Sequence, residues 1–129
     1  MAYNILIVDD SATMRAMIKR IVRMAGVAVG ELFEAGDGLA ALGILATSRV
    51  DLVLADLNMP GMTGVEMTHE MRQDEQLRDI PVIVISAEPN IDRLEQLKKD
   101  GVQAYVRKPF TPEAVREVVT RVMGVAVHA

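Results

Sequence analysis

Short apolar runs of strand length recur along the chain, and between them lie longer stretches in which apolar residues return every three or four positions. "YNILIVD" (3–9) is the first run, and it ends in Asp9, Asp10 and Ser11. Ser11 is placed to cap a helix whose Met14, Met17, Ile18, Ile21, Val22 and Ala25 share one face, with Gly26 closing it. A weaker run, "VGELFEA" (29–35), leads through Gly36, Asp37 and Gly38 to an alanine-rich helix holding Leu39, Leu42 and Leu45. "VDLVLAD" (50–56) is the third strand, and a helix carrying Val65, Met67 and Met71 follows the Pro60-Gly61 turn. "IPVIVIS" (80–86) has no polar alternation, the mark of a strand covered on both faces. A fourth helix is expected over about residues 90–100, then a short strand "AYVRK" (104–108), Pro109, and a last helix with Val115, Val118, Val119 and Val122 on one side.

Five strand-helix units joined by right-handed crossovers make an α/β domain, a parallel sheet with helices on both faces. Such sheets bind ligands beyond the carboxyl ends of their strands. Strand one ends in Asp9 and Asp10, strand three in Asp56, strand four in Ser86 and strand five in Lys108. An acid closing a strand serves most often as a turn former or a helix cap, a terminal serine as a turn hydroxyl, and a lysine before proline as a surface charge. Four strand ends of one sheet all carrying such groups point instead to a shared site.

Composition narrows what that site can be. With 129 residues, half of them apolar, the chain is long enough for one domain with a substantial core. A net charge of −4 argues against broad attraction to nucleic acid. The absence of cysteine excludes disulfides and thiolate metal sites. The first ten residues contain neither a basic region nor a long apolar stretch, so a cytoplasmic protein away from the membrane is the expectation. No exposed apolar seam argues for a dimer, and a monomer is expected.

Three carboxylates at one sheet edge repel one another by roughly 4 kcal/mol per pair at about 4 Å and an effective dielectric near 20. They need a cation or the protonation of one member. A donor set of oxygens alone suits a hard ion, and Mg²⁺ characteristically keeps several waters beside one or two carboxylates. The natural arrangement has Asp10 and Asp56 on the ion, Asp9 holding one of its waters, and a main-chain carbonyl just past Asp56, that of Asn58, completing the protein's share. Mg²⁺ beside a lysine is a phosphoryl environment. An aspartate there can itself be the nucleophile and become an acyl phosphate, with Ser86 donating to one phosphoryl oxygen and Lys108 pairing with another.

The segments "ILIVDDSATMR", "DLNMPGMTG", "VIVISAE" and "YVRKPFT" together resemble the bacterial response-regulator receiver domains, most closely the single-domain chemotaxis regulators of the CheY type. The resemblance covers almost the whole chain and implies a flavodoxin-like, doubly wound five-stranded sheet of order 2-1-3-4-5 with five helices, residues 1–124 forming the domain and 125–129 a tail. It implies that Asp56 accepts phosphoryl from a histidine kinase, that Asp9, Asp10, Asp56 and the main chain of Asn58 hold Mg²⁺, and that Ser86 and Lys108 contact the phosphoryl group. Pro109 would follow a cis peptide bond. Tyr105 stands where an aromatic turns inward as the hydroxyl residue moves toward the phosphate. The face made by the fourth helix, fifth strand and fifth helix would then change its partner preference, and the flagellar motor switch is the expected target. Asn58 and Glu88 occupy the positions that tune dephosphorylation, by the protein itself or with a phosphatase. Ser86 departs from the commoner threonine, Thr63 stands where aspartate is frequent, Pro89 follows Glu88, and Arg107 adds charge beside Lys108; these departures bear on the partner.

Two rivals from other classes fail on particular residues. A phosphatase of the haloacid dehalogenase type needs a second acid two residues after its nucleophile, where this chain has Asn58, and it needs a cap domain. A nucleotide or flavin binder needs a phosphate cradle, and "DDSATM" offers no glycine and two repelling acids. Within the same chemistry, a phosphorelay intermediate, a phosphate sink and a receiver cut from a longer regulator stay open.

Overall fold

The computed structural model describes residues 2–56, 62, 64–86, 95, 98, 99, 101–107 and 111–123. Five strands, β1 (Tyr3–Val8), β2 (Val29–Ala35), β3 (Leu52–Asp56), β4 (Val82–Ser86) and β5 (Ala104–Arg107), form one parallel sheet in the order β2-β1-β3-β4-β5. The described residues hold four helices, α1 (Ala12–Met24), α2 (Gly38–Thr47), α3 (Gly64–Arg72) and α4 (Pro112–Met123), rather than the five expected. The segment expected to supply the remaining helix, 90–100, lies mostly outside the described residues, as does the tail from 124; Glu95, Lys98 and Lys99 are helical.

Strand side chains alternate between two cores, which is why the central runs carry no polar residue. Ile5, Ile7, Leu52, Leu54, Ile83 and Ile85 face Ile18 and Val22 of α1 and Val115, Val118 and Val119 of α4. Leu6, Val8, Val53, Ala55 and Val82 face Ala41 and Leu45 of α2 and Met67 and Met71 of α3. Helices cover both faces of the sheet, and the strand ends are left as the places where polar groups can gather.

The caps follow the sequence. Ser11 accepts from the Met14 amide at 3.2 Å, and Asp37 accepts from the Ala40 amide at 2.8 Å. Gly26, with φ of 80°, ends α1 in the left-handed region that glycine adopts freely.

Two side chains depart from the expected faces, and one residue from its expected strand. Met17, placed on the buried face of α1 by spacing, is 48 % exposed; the stripe against the sheet narrows to Ile18 and Val22, with Met14 and Ile21 half-buried at its flanks. Leu39 is 70 % exposed, because Gly38, Ala41 and Leu45 form the face of α2 that meets the core. Ile80 precedes β4 rather than opening it; Pro81 has no amide to donate to a ladder, and only its carbonyl is used, accepting from Val53 at 3.0 Å.

Candidate functional site

Register places the acids. Val8 pairs with Ala35 on one side and Ala55 on the other, and Asp56 pairs with Ile85. Asp9 follows Val8, Asp56 follows Ala55, and both therefore leave the sheet at one level of its carboxyl edge. Asp9, Asp10 and Asp56 each bring one carboxylate oxygen to within 4.8 Å of the other two.

The three differ in surroundings. Asp9 is buried, Asp56 half-buried and Asp10 exposed. Asp9 is fixed by its own backbone neighbours: its amide donates to the Ala35 carbonyl at 3.1 Å, and its Oδ1 accepts from the Ser11 amide at 2.9 Å. Arg15, one turn into α1, donates from Nη1 to the Asp9 carbonyl at 2.6 Å and from Nε to Glu34 at 3.1 Å. Lys19 adds a second bond to Glu34 at 2.8 Å, so α1 is clamped to β2 beside the acids. Lys19 foremost, and Arg15 with it, hold the Glu34 carboxyl below its usual range against the opposing effect of partial burial.

A set of three converging carboxylates, one buried and two reachable by solvent, fits a hard divalent ion. It offers oxygen donors at the spacing of a shared ligand sphere and leaves positions open for water or another oxygen ligand.

Of the remaining candidates, Ser86 is the last residue of β4, next along the chain from Ile85, the partner of Asp56. Tyr105 lies one strand farther, opposite Val84, and its half-buried ring packs on the small core of Val84 and Val102. Asn58, Glu88, Lys108 and Pro109 lie outside the described residues.

Two contacts near these residues have no counterpart among the motifs. Arg15 reaches the Asp9 carbonyl because Ser11 sets the start of α1, and the Ser11–Arg15 spacing of four is a signal that could have located it. Lys98 lies with Nζ 5.4 Å from the Tyr105 ring centroid, joining a helical residue to a strand with no periodicity to announce it.

Known proteins match this arrangement. The family model described as the response regulator receiver domain matches residues 5–120. The chain is 40% identical over 119 residues to the chemotaxis protein CheY of Pseudomonas aeruginosa, covering 92% of this chain and 94% of that protein. Among solved structures it is similar to the chemotaxis response regulator CheY4 of Vibrio cholerae, with a TM-score of 0.84 at 30% identity over 95% of this chain and 99% of that one. It is also similar to the receiver domain of a sensor histidine kinase from Pseudomonas aeruginosa PAO1, described with a magnesium ion coordinated in its active site cleft. That match has a TM-score of 0.82 at 27% identity and covers 97% of this chain and 100% of that one.

Proposed function

The chain belongs to the response regulator receiver family, and from that premise we propose that it is a phosphorylation-activated switch in chemotaxis whose phosphoacceptor is Asp56. The observation that carries this reading is the convergence of Asp9, Asp10 and Asp56 at one sheet edge. Asp56 stands at the rim on a rigid strand, its backbone paired to β4, and its half-buried carboxylate is reachable from solvent.

In the proposed reaction an Asp56 oxygen bonds to the phosphorus of a phosphohistidine on the kinase as the phosphorus–nitrogen bond breaks, and the imidazole leaves with the electron pair. Mg²⁺ held by Asp9, Asp10, Asp56 and the main chain of Asn58 would neutralise charge on the phosphoryl oxygens and on the carboxylates. The Ser86 hydroxyl donates to one phosphoryl oxygen and the Lys108 ammonium pairs with another. Dephosphorylation adds a water oxygen to phosphorus, breaks the bond to Asp56 and releases phosphate; Asn58 and Glu88, at the sequence positions where the family tunes this step, are assigned to set its rate. The protein is a signalling acceptor that promotes its own two transfers, with residues 1–124 as the working domain.

The switch is the movement of Ser86 toward the phosphoryl group and of Tyr105 into the space it leaves. This changes the face formed by the 90–100 segment, β5 and α4, the surface assigned here to the flagellar motor switch. Phosphorylation biases this equilibrium only by its differential interaction with the two states, on the order of a few kcal/mol.

Intact-mass analysis after incubation with acetyl phosphate tests the chemistry. Wild type with Mg²⁺ gains one phosphoryl mass, and neither Asp56→Asn nor the metal-free protein does. An adduct that persists in Asp56→Asn places the phosphoacceptor elsewhere and overturns the assignment.

A further inference from the structure

Lys98 and Tyr105 are seven residues apart in sequence. The ammonium of Lys98 nevertheless lies 5.4 Å from the centroid of the Tyr105 ring, within the range of a cation–π contact. Among the described residues Lys98 makes no salt bridge, and its ammonium is in contact with the ring.

The turn between the two is held independently of that contact. The Gly101 amide donates to the Lys98 carbonyl at 3.2 Å. The Gly101 carbonyl accepts from Arg72 Nε at 3.2 Å and Nη2 at 2.7 Å. Gln103 donates its amide to the Val82 carbonyl at 3.0 Å, and its Oε1 accepts from both Arg72 Nη2 and the Val82 amide at 2.8 Å. Arg72 thus fastens the turn to the start of β4, and the backbone on either side presents Lys98 to the exposed side of the ring.

We propose that Lys98 is a brake on the Tyr105 switch. Stacked over the ring, it stabilises the half-buried resting position, and it loses that attraction when the ring turns inward. The inference rests on the receiver reading given above, in which Tyr105 moves on phosphorylation. A contact made in one state and lost in the other must appear, by linkage, as the same factor in affinity for the phosphoryl group. An exposed cation–π contact corresponds to a factor of roughly two to five. The direction is diagnostic. Deleting a positive charge should by general electrostatics weaken anion binding, whereas releasing the brake strengthens it.

The test uses the full chain, saturating Mg²⁺ and beryllofluoride as the phosphoryl analogue, with affinity measured by titration calorimetry. Lys98→Ala is expected to bind roughly two- to five-fold more tightly than wild type. Lys98→Arg, which keeps the cation over the ring, should match wild type. In a Tyr105→Leu background the Lys98→Ala change should have no further effect. Affinity of Lys98→Ala equal to or below that of wild type overturns the brake, as does an increment that persists without the ring. Failure of wild type to bind, or equal binding by Asp56→Asn, brings down the assignment of Asp56 as phosphoacceptor, and the brake with it.

Discussion

Val8 and Ala55 are register partners in adjacent parallel strands, so Asp9 and Asp56, one residue farther along each, emerge side by side at the carboxyl edge of the sheet. Backbone pairing deep in the core sets the separation of the two carboxylates. Asp10 joins them from the turn into α1, and the Ser11 cap fixes where that turn ends.

Such a cluster is self-repelling without a cation, and this fixes the sign of a thermal measurement. A Mg²⁺ ion held by the proposed site would bind the folded state alone and should raise Tm progressively with concentration. Asp10→Asn removes one charge of the three and should raise the metal-free Tm by about 2–5 °C while largely abolishing the Mg²⁺-dependent increase. Thermal unfolding of both proteins across a Mg²⁺ titration, with Ca²⁺ and NaCl as controls, checks this. A metal-free Tm for Asp10→Asn below that of wild type would show that Asp10 stabilises the empty site by more than its repulsion from Asp9 and Asp56 costs.

The cluster was legible in the sequence because its members terminate strands, and strand ends in a parallel sheet share an edge whatever the details of packing. Sheet and strands were legible because apolar runs such as "VIVI" (82–85) are unbroken by any polar position. Helix faces were less so. In α2 leucine, isoleucine and alanine occur all round, and periodicity alone does not select Ala41 and Leu45 over Leu39. Contacts across elements, such as Arg72 with Gly101 and Lys98 with Tyr105, depend on how separate segments are brought together and leave no local pattern.

The Glu34 clamp makes stability depend on pH in one direction. Its carboxyl is held below its ordinary value of 4.5, foremost by Lys19 and also by Arg15, so the folded state binds a proton there less readily than the unfolded chain. The contribution is complete above the ordinary value and disappears as pH falls through the lowered folded value. With the Glu34 side chain 36% exposed, solvent screening limits it to about 0.5–1 kcal/mol. Urea unfolding of Glu34→Gln should show this deficit at pH 7 and a smaller one near pH 3. A deficit of equal size at both would assign the effect to packing.

Arg72 directs its guanidinium to four acceptors from two segments: the carbonyls of Arg78 and Ile80, and the Gly101 carbonyl with the side chain of Gln103. Burial lowers its pKa, so the charge is retained at some desolvation cost. Arg72→Ala leaves these acceptors without their donor and should cost about 2–3 kcal/mol. Arg72→Lys should recover less than half, because an ammonium cannot span the forked geometry. Equilibrium urea unfolding of the three proteins measures both. Full recovery by lysine would reduce the role of Arg72 to charge.

Gly38 opens α2, and its backbone φ is not positive, so conformational freedom does not explain it. Space does. A Cβ at this position would lie 2.8 Å from Cβ and Cγ of Met62 and 3.0 Å from its Sδ, closer than packed atoms tolerate. Helix propensity alone predicts that alanine would stabilise the helix by up to about 1 kcal/mol, whereas the clash predicts destabilisation of about 1–3 kcal/mol. The two accounts therefore differ in sign. Met62 lies six residues beyond Asp56, so displacing it also disturbs the chain that returns from the proposed phosphoacceptor. Gly38→Ala should unfold at lower urea and take up phosphoryl from acetyl phosphate more slowly. Pairing it with Met62→Ala, which vacates the contested space, should restore most of the uptake rate even though the second change removes a half-buried side chain. A Gly38→Ala protein as stable and as reactive as wild type would show that Met62 moves aside without cost and that the close approach holds nothing in place.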